Sequence, residues 1–244
     1  MSSTQRTAIV TGGGKRIGEA IARALVEDGW TVVAHVHRLG DGVPAGAIRA
    51  VADLGEPDCA ERIFAAAAGA PPVRLLVNNA ARFAFDGFGS LSAAEFDAHM
   101  AVNARAPMLL LDALARRHAG GEALAVNLLD AKLAAPNADY LSYTLSKYAL
   151  AGLTEVAARA LAERGIRVNA IAPALMLPSD EQDGANFAKV HALNPLRRGI
   201  EAGDVVSALR FLVDSTGMTG QTLVIDGGQR FMALPRDVQF LEDR

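Results

Sequence analysis

The run Thr11-Gly12-Gly13-Gly14-Lys15-Arg16-Ile17-Gly18 constrains this chain more than any other stretch. It follows a short apolar segment, Thr7-Ala8-Ile9-Val10, and opens an amphipathic stretch from Ile17 to Gly29. A strand that turns through glycines into a helix brings backbone close to a pyrophosphate, whose charge then rests on the helix N-terminus. Three residues rather than two separate Gly14 from Gly18, so the spacing departs from the common dinucleotide fingerprint. Placed at the front of an alternating chain, the turn predicts a nicotinamide dinucleotide as ligand.

The alternation continues throughout. Strand-like runs fall at Ala8–Thr11, Thr31–His35, Ala47–Val51, Arg74–Asn78, Ala123–Asn127, Arg167–Ile171 and Thr222–Ile225. Helix-like stretches lie between them at Ile17–Gly29, Pro57–Ala68, Ala93–Ala119, Tyr143–Arg164 and Asp204–Val213. Largely apolar strands separated by helices predict a parallel sheet covered on both faces. The connection from Pro173 to Leu196 breaks the rhythm, and its length marks it as a substrate lid over about 174–197.

Composition narrows the function classes. With 244 residues, 51% hydrophobic, the chain supports one large core and reads as a single domain over 1–244. A net charge of -3 without a basic block gives nucleic acid little to hold. One cysteine, Cys59, excludes an internal disulfide and fits a reducing compartment. His35, His37, His99, His118 and His191 are scattered without ligand spacing, so no metal site is expected. No leader peptide or membrane span is visible, and the reading is a soluble, cytoplasmic protein.

Tyr143 and Lys147 stand four apart in a helical stretch, so both project from one face. A cation beside a phenol is expected to lower its pKa, readying the tyrosine for proton transfer. Together with Thr11–Gly18, Asn78-Asn79-Ala80, Asn103, Asp53-Leu54 and Asp226-Gly227-Gly228, this pair resembles the short-chain dehydrogenase/reductase family across nearly the whole chain. The resemblance implies a Rossmann-type, doubly wound, parallel seven-stranded α/β sheet flanked by helices, and a homotetramer built on the helices around Tyr143. It also implies cofactor contacts from Gly12, Gly14, Lys15, Arg16, Ile17, Gly18, Asp53, Leu54, Asn79, Ala80 and Pro173. Asn103 supports a proton-relay water in that scheme.

Two departures point to a branch. Most members carry glycine where Arg16 stands and serine where Asp130 stands, thirteen positions before the tyrosine. Both changes resemble the pteridine reductase and dihydromonapterin reductase branch, as do His37-Arg38 and Phe83. In that branch an aromatic at the position of Phe83 stacks on the pterin, and a serine often stands where this chain has Ala81.

Cofactor choice follows from charge. The second strand ends in His35-Val36-His37-Arg38, with no acid before Asp41. A carboxylate there would grip a ribose 2′-hydroxyl, whereas guanidinium groups grip a 2′-phosphate. Arg16 and Arg38, with His37 as auxiliary donor, therefore predict NADPH/NADP. The expected reaction is hydride transfer to a pterin-like C=N bond, with Tyr143 as proton donor and Lys147 on the nicotinamide ribose. Asp130, its pKa raised in a closed pocket, would shuttle a proton to a ring nitrogen. Phe83, Tyr140 as a pocket wall, and Leu175 and Met176 of the lid are the expected substrate contacts, with Leu177 and Phe187 also on the lid. The alternatives are a general NADPH-dependent carbonyl reductase for 3-oxoacyl or quinone substrates and, remotely, a non-catalytic dinucleotide-sensing regulator.

Overall fold

The computed structural model describes residues 5–174, 191–237 and 240. Seven parallel strands form one sheet: β1 (Thr7–Val10), β2 (Thr31–Val36), β3 (Ile48–Val51), β4 (Val73–Asn78), β5 (Ala123–Leu128), β6 (Ile166–Pro173) and β7 (Thr222–Ile225). Their order is β3-β2-β1-β4-β5-β6-β7, so the winding reverses between β1 and β4. Ligands bind at such a reversal, beyond the carboxyl ends of the strands.

Six described α-helices cover the sheet: α1 (Arg16–Glu27), α2 (Cys59–Ala66), α3 (Ala93–Met100), α4 (Ala106–Arg117), α5 (Leu141–Leu161) and α6 (Ala202–Asp214). On one face Ile63, Phe64, Leu110, Leu114, Ala157 and Ala158 pack against Ile9, Leu76 and Ala125. On the other, Ile21, Leu25, Val205, Leu209 and Leu212 pack against Ala8, Val10, Leu75, Val126 and Ile171. Alternate residues of β1 thus serve opposite cores, because successive strand side chains point to opposite faces.

Two helices differ from the sequence reading. The single helix expected over Ala93–Ala119 is divided into α3, a π-helical turn at Ala101–Arg105, and α4. Pro107 lies in the first turn of α4 and lacks an N–H, so its missing donor breaks the regular ladder there. The helix expected from Tyr143 starts two residues earlier, at Leu141, behind Tyr140 in a left-handed conformation (φ 55°). Most of the expected lid, including Leu175, Met176, Leu177 and Phe187, lies outside the described residues. Its return is pinned, with Leu196 N donating to Gly227 O and Asn194 packed where a Gly227 side chain would stand. No described helix is long and apolar enough to cross a membrane.

Candidate active site

The glycine turn is fastened from below before any ligand is considered. Thr11 Oγ1 accepts from the main-chain N–H groups of Asn79 and Ala80, at 2.9 and 3.0 Å. Asn79 Nδ2 returns a bond to Thr11 O at 2.8 Å. Beneath the loop, buried His35 accepts from Gly12 N at Nδ1 (3.2 Å), while its Nε2 lies 3.0 Å from Ala52 O. Only the neutral ring protonated at Nε2 satisfies both contacts, and burial holds its pKa below the ordinary value. The sequence places Thr11 in the glycine turn and His35 at the end of the second strand, but shows neither contact. Nothing local distinguishes a buried linker from a surface polar residue.

Space at the turn is reserved for backbone. A Cβ on Gly14 would stand 2.2 Å from Gly42 O, and one on Gly18 would stand 2.0 Å from Gly12 O. Gly12 adopts φ +64°, which favours glycine. Arg16 also has a left-handed φ, 53°, in the place where glycine is usual. That conformation costs about 1–2 kcal/mol for a residue with a Cβ.

Beyond the turn, Arg16, His37, Arg38, Asp53 and Leu54 line one cavity with Gly12, Gly14, Lys15, Ile17, Gly18, Asn79, Ala80 and Pro173. Asp41 Oδ2 accepts from Arg38 N at 2.9 Å, and Asp53 Oδ1 from Gly55 N at 2.7 Å. His37 Nε2 lies 3.5 Å from Asp53 Oδ2. The guanidinium groups of Arg38 after β2 and Arg16 at the start of α1, beside a glycine cradle that a side chain would fill, fit a dinucleotide carrying a 2′-phosphate.

The same cavity, of about 1170 Å³, continues to Asp130, Tyr143 and Lys147. Asp130 follows β5 and accepts at both oxygens: from Tyr143 Oη at 2.8 Å and from Lys132 N at 2.8 Å. Lys147 Nζ donates to Leu128 O at 2.6 Å and stands 5.6 Å from the Tyr143 ring centre. Burial pushes Tyr143 well above the ordinary phenol pKa, and the Asp130 carboxylate pushes the same way. This corrects the expectation that Lys147 lowers it: the carboxylate touches the hydroxyl directly, and the ammonium does not. Burial also lowers Lys147 itself, to about 8.

Asn103 sits behind the cavity rather than on its wall. It is buried in the π-helical turn and does not line the cavity. Its side chain accepts from Arg82 N (2.7 Å) and donates to Arg82 O (2.9 Å) and Ser146 Oγ (2.9 Å). Through these bonds Asn103 positions α5 against the segment that carries Phe83.

Phe83 lines the cavity and remains 48% exposed, enough apolar surface to receive a flat ring. Tyr140 is not a cavity wall as expected. It is buried behind Phe83, stacked on it at 4.2 Å, while Tyr143 meets Phe83 edge-on at 4.7 Å. The left-handed backbone of Tyr140 turns its ring under Phe83. Sequence reasoning missed Lys132, Leu234, Arg236 and Asp237, which all line the cavity. Among the described residues, no group of three or more His, Cys, Asp or Glu gathers as a metal would need.

Comparison with known proteins agrees with this arrangement. A family model described as enoyl-(acyl carrier protein) reductase matches residues 13–230. Pteridine reductase 1 from Leishmania tarentolae is 32% identical over 282 residues, covering 93% of this chain and 97% of the relative. Carbonyl reductase (NADPH) 2 from Sus scrofa is 31% identical over 236 residues, covering 91% and 95%. The crystal structure of FolM alternative dihydrofolate reductase 1 from Brucella canis, complexed with NADP, superposes with a TM-score of 0.87. It shares 36% identity and covers 93% of this chain and 95% of that one. The chain belongs to the short-chain dehydrogenase/reductase family of oxidoreductases.

Proposed function

We propose that the protein is an NADPH-dependent reductase of a pterin or dihydropterin, acting on a C=N bond of the ring. The observation that carries this reading is the Tyr143–Asp130 hydrogen bond in the same cavity as the half-exposed ring of Phe83, which Tyr143 meets edge-on. Gly12, Gly14 and Gly18 would hold the pyrophosphate, Arg16, His37 and Arg38 the 2′-phosphate, and Leu54 with Asp53 the adenine end. When bound, NADPH supplies the hydride.

The chain's own residues supply the rest. Phe83 offers a flat apolar face that orients a heteroaromatic ring. Tyr143 keeps its proton at Oη well above neutral pH and gives it to the nitrogen of the bond being reduced. Asp130 fixes the direction of that hydroxyl, and as an acceptor it suits a substrate presenting N–H groups. Lys147, anchored on Leu128 O, holds the nicotinamide ribose. FolM alternative dihydrofolate reductase 1 and pteridine reductase 1 support the pterin assignment.

A second reading, reduction of a carbonyl, draws support from the carbonyl reductase relative. Following NADPH oxidation with dihydrobiopterin or dihydromonapterin, against acetoacetyl thioester and simple diketones, separates the two. Turnover of the pterins with little of the carbonyls supports the first, and the reverse pattern overturns it. A homotetramer belongs to the same proposal. Exposed Met108 on α4 and Leu145, Tyr148 and Val156 on α5 offer apolar surface for it, and sedimentation at micromolar concentration tests it.

A further inference from the structure

The C-terminal segment returns to the substrate end of the cavity and is fastened there. Asp139 is a buried carboxylate immediately before Tyr140 and α5. It receives Arg236 Nε at 3.0 and 2.8 Å, Arg236 Nη2 at 2.8 Å, and Asp237 N at 2.8 Å. A buried carboxylate needs such partners, and here they come from a segment 97 residues away. Phe240 lies parallel to Tyr140 at 6.1 Å and edge-on to Phe85 at 5.5 Å, so the segment also packs on the support of Phe83.

Lys132 joins the two parts. Its Nζ donates to Asp139 O and lies 3.7 Å from Asp237 Oδ2, and its side chain lines the cavity. An ammonium carries three donors; beside these two partners Nζ has only the Tyr140 ring, 5.4 Å from its centre, a weak contact that a ligand's acceptor can replace. Asp237 and nearby Asp130 offset its charge, so the position suits a neutral oxygen or nitrogen acceptor better than a carboxylate.

We propose that the C-terminal segment Leu234–Asp237 is a specificity element of the active site. Clasped by the Arg236–Asp139 ion pair, it holds Lys132 as a hydrogen-bond donor to a neutral polar group of the substrate. The proposal rests on the reductase reading of the cavity and does not depend on which substrate is reduced. Arg236 is a positioning residue, and Lys132 is the group that meets substrate.

The test is steady-state kinetics of Arg236→Ala, Arg236→Lys, Asp139→Asn and Lys132→Met with NADPH and dihydrobiopterin. Arg236→Ala is expected to raise the substrate KM roughly tenfold, with a smaller effect on kcat and none on the NADPH KM. Arg236→Lys recovers part of the loss, and Arg236→Ala combined with Asp139→Asn costs no more than either alone, because one link is being cut. Lys132→Met reproduces the KM effect with the clasp intact. An unchanged substrate KM in Arg236→Ala, or an equal rise in the NADPH KM, overturns the proposal. If the wild type reduces acetoacetyl thioester instead of the pterin, the pterin reading fails, and the same comparison with the thioester still decides this one.

Discussion

The hydroxyl of Tyr143, on the first turn of α5, donates to Oδ2 of Asp130 across 2.8 Å. The bond joins the catalytic helix to the end of β5 and, after burial, helps keep the proton on Tyr143. A serine at 130 would be a neutral donor to a substrate carbonyl, whereas an ionised aspartate only accepts. Asp130→Ser is therefore expected to abolish pterin turnover while sparing or improving reduction of a simple diketone. Parallel rates for both substrates in the two enzymes settle the matter, and equal losses on both would sink the assigned role. Tyr143→Phe removes the proton donor and should lower kcat by roughly 10²–10⁴-fold on either substrate.

Arg38, just after β2, and Arg16, at the start of α1, line the part of the cavity that glycine keeps open. Charge-assisted hydrogen bonds contribute roughly 1.5–3 kcal/mol, so losing one weakens binding about ten- to a hundredfold. Arg38→Asp should raise the NADPH dissociation constant by that much and leave NADH little changed. Fluorescence titration with both cofactors measures it, and equal changes for the two would refute the 2′-phosphate assignment.

Burial lowers Lys147 to about 8 from an ordinary 10.5. Between those values the unfolded chain binds more protons than the folded one, so this residue's contribution to stability rises with pH across the window. At neutral pH the buried charge opposes folding. Lys147→Met should thus gain most in Tm over wild type near pH 7 and progressively less toward pH 10. A difference independent of pH would show that the ammonium is not the cause. Wild-type kcat/KM should fall above about pH 8 as Lys147 discharges, since Tyr143 stays protonated beyond that range.

Gly18 faces Gly12 O so closely that a Cβ would stand 2.0 Å away, with Asn79 Nδ2 at 2.5 Å. Backbone on one side and a hydrogen-bonded amide on the other leave no room to yield. Gly18→Ala is expected to abolish NADPH binding and lower Tm by several degrees. Gly217→Ala, where a Cβ meets nothing within 4 Å, should do neither and serves as the control. Retained NADPH affinity in Gly18→Ala would remove the turn from the cofactor site.

Much of this site is legible because its signals are local. The alternation of apolar strands and amphipathic helices foretells all seven strands, with boundaries within a residue or two. Glycines at 12, 14 and 18 are readable for the same reason, since a strand-to-helix turn has few backbone solutions. Tyr143 and Lys147 declare a shared face through their spacing alone. The division of Ala93–Ala119 was half legible: Pro107 marks a break, but the π-helical turn depends on Asn103 reaching Arg82.

What the chain by itself determined is the order of its elements, the glycine cradle and the residues brought to the strand ends. These follow from backbone sterics and side-chain periodicity over a few residues. Only the tertiary structure decided that Tyr143 is held protonated rather than ionised, that Asn103 bonds to Arg82 and Ser146, and that Tyr140 lies beneath Phe83. It alone brought Arg236 to Asp139 across 97 residues. Desolvation, proton affinity and ion pairing depend on which groups the fold places within a few ångströms.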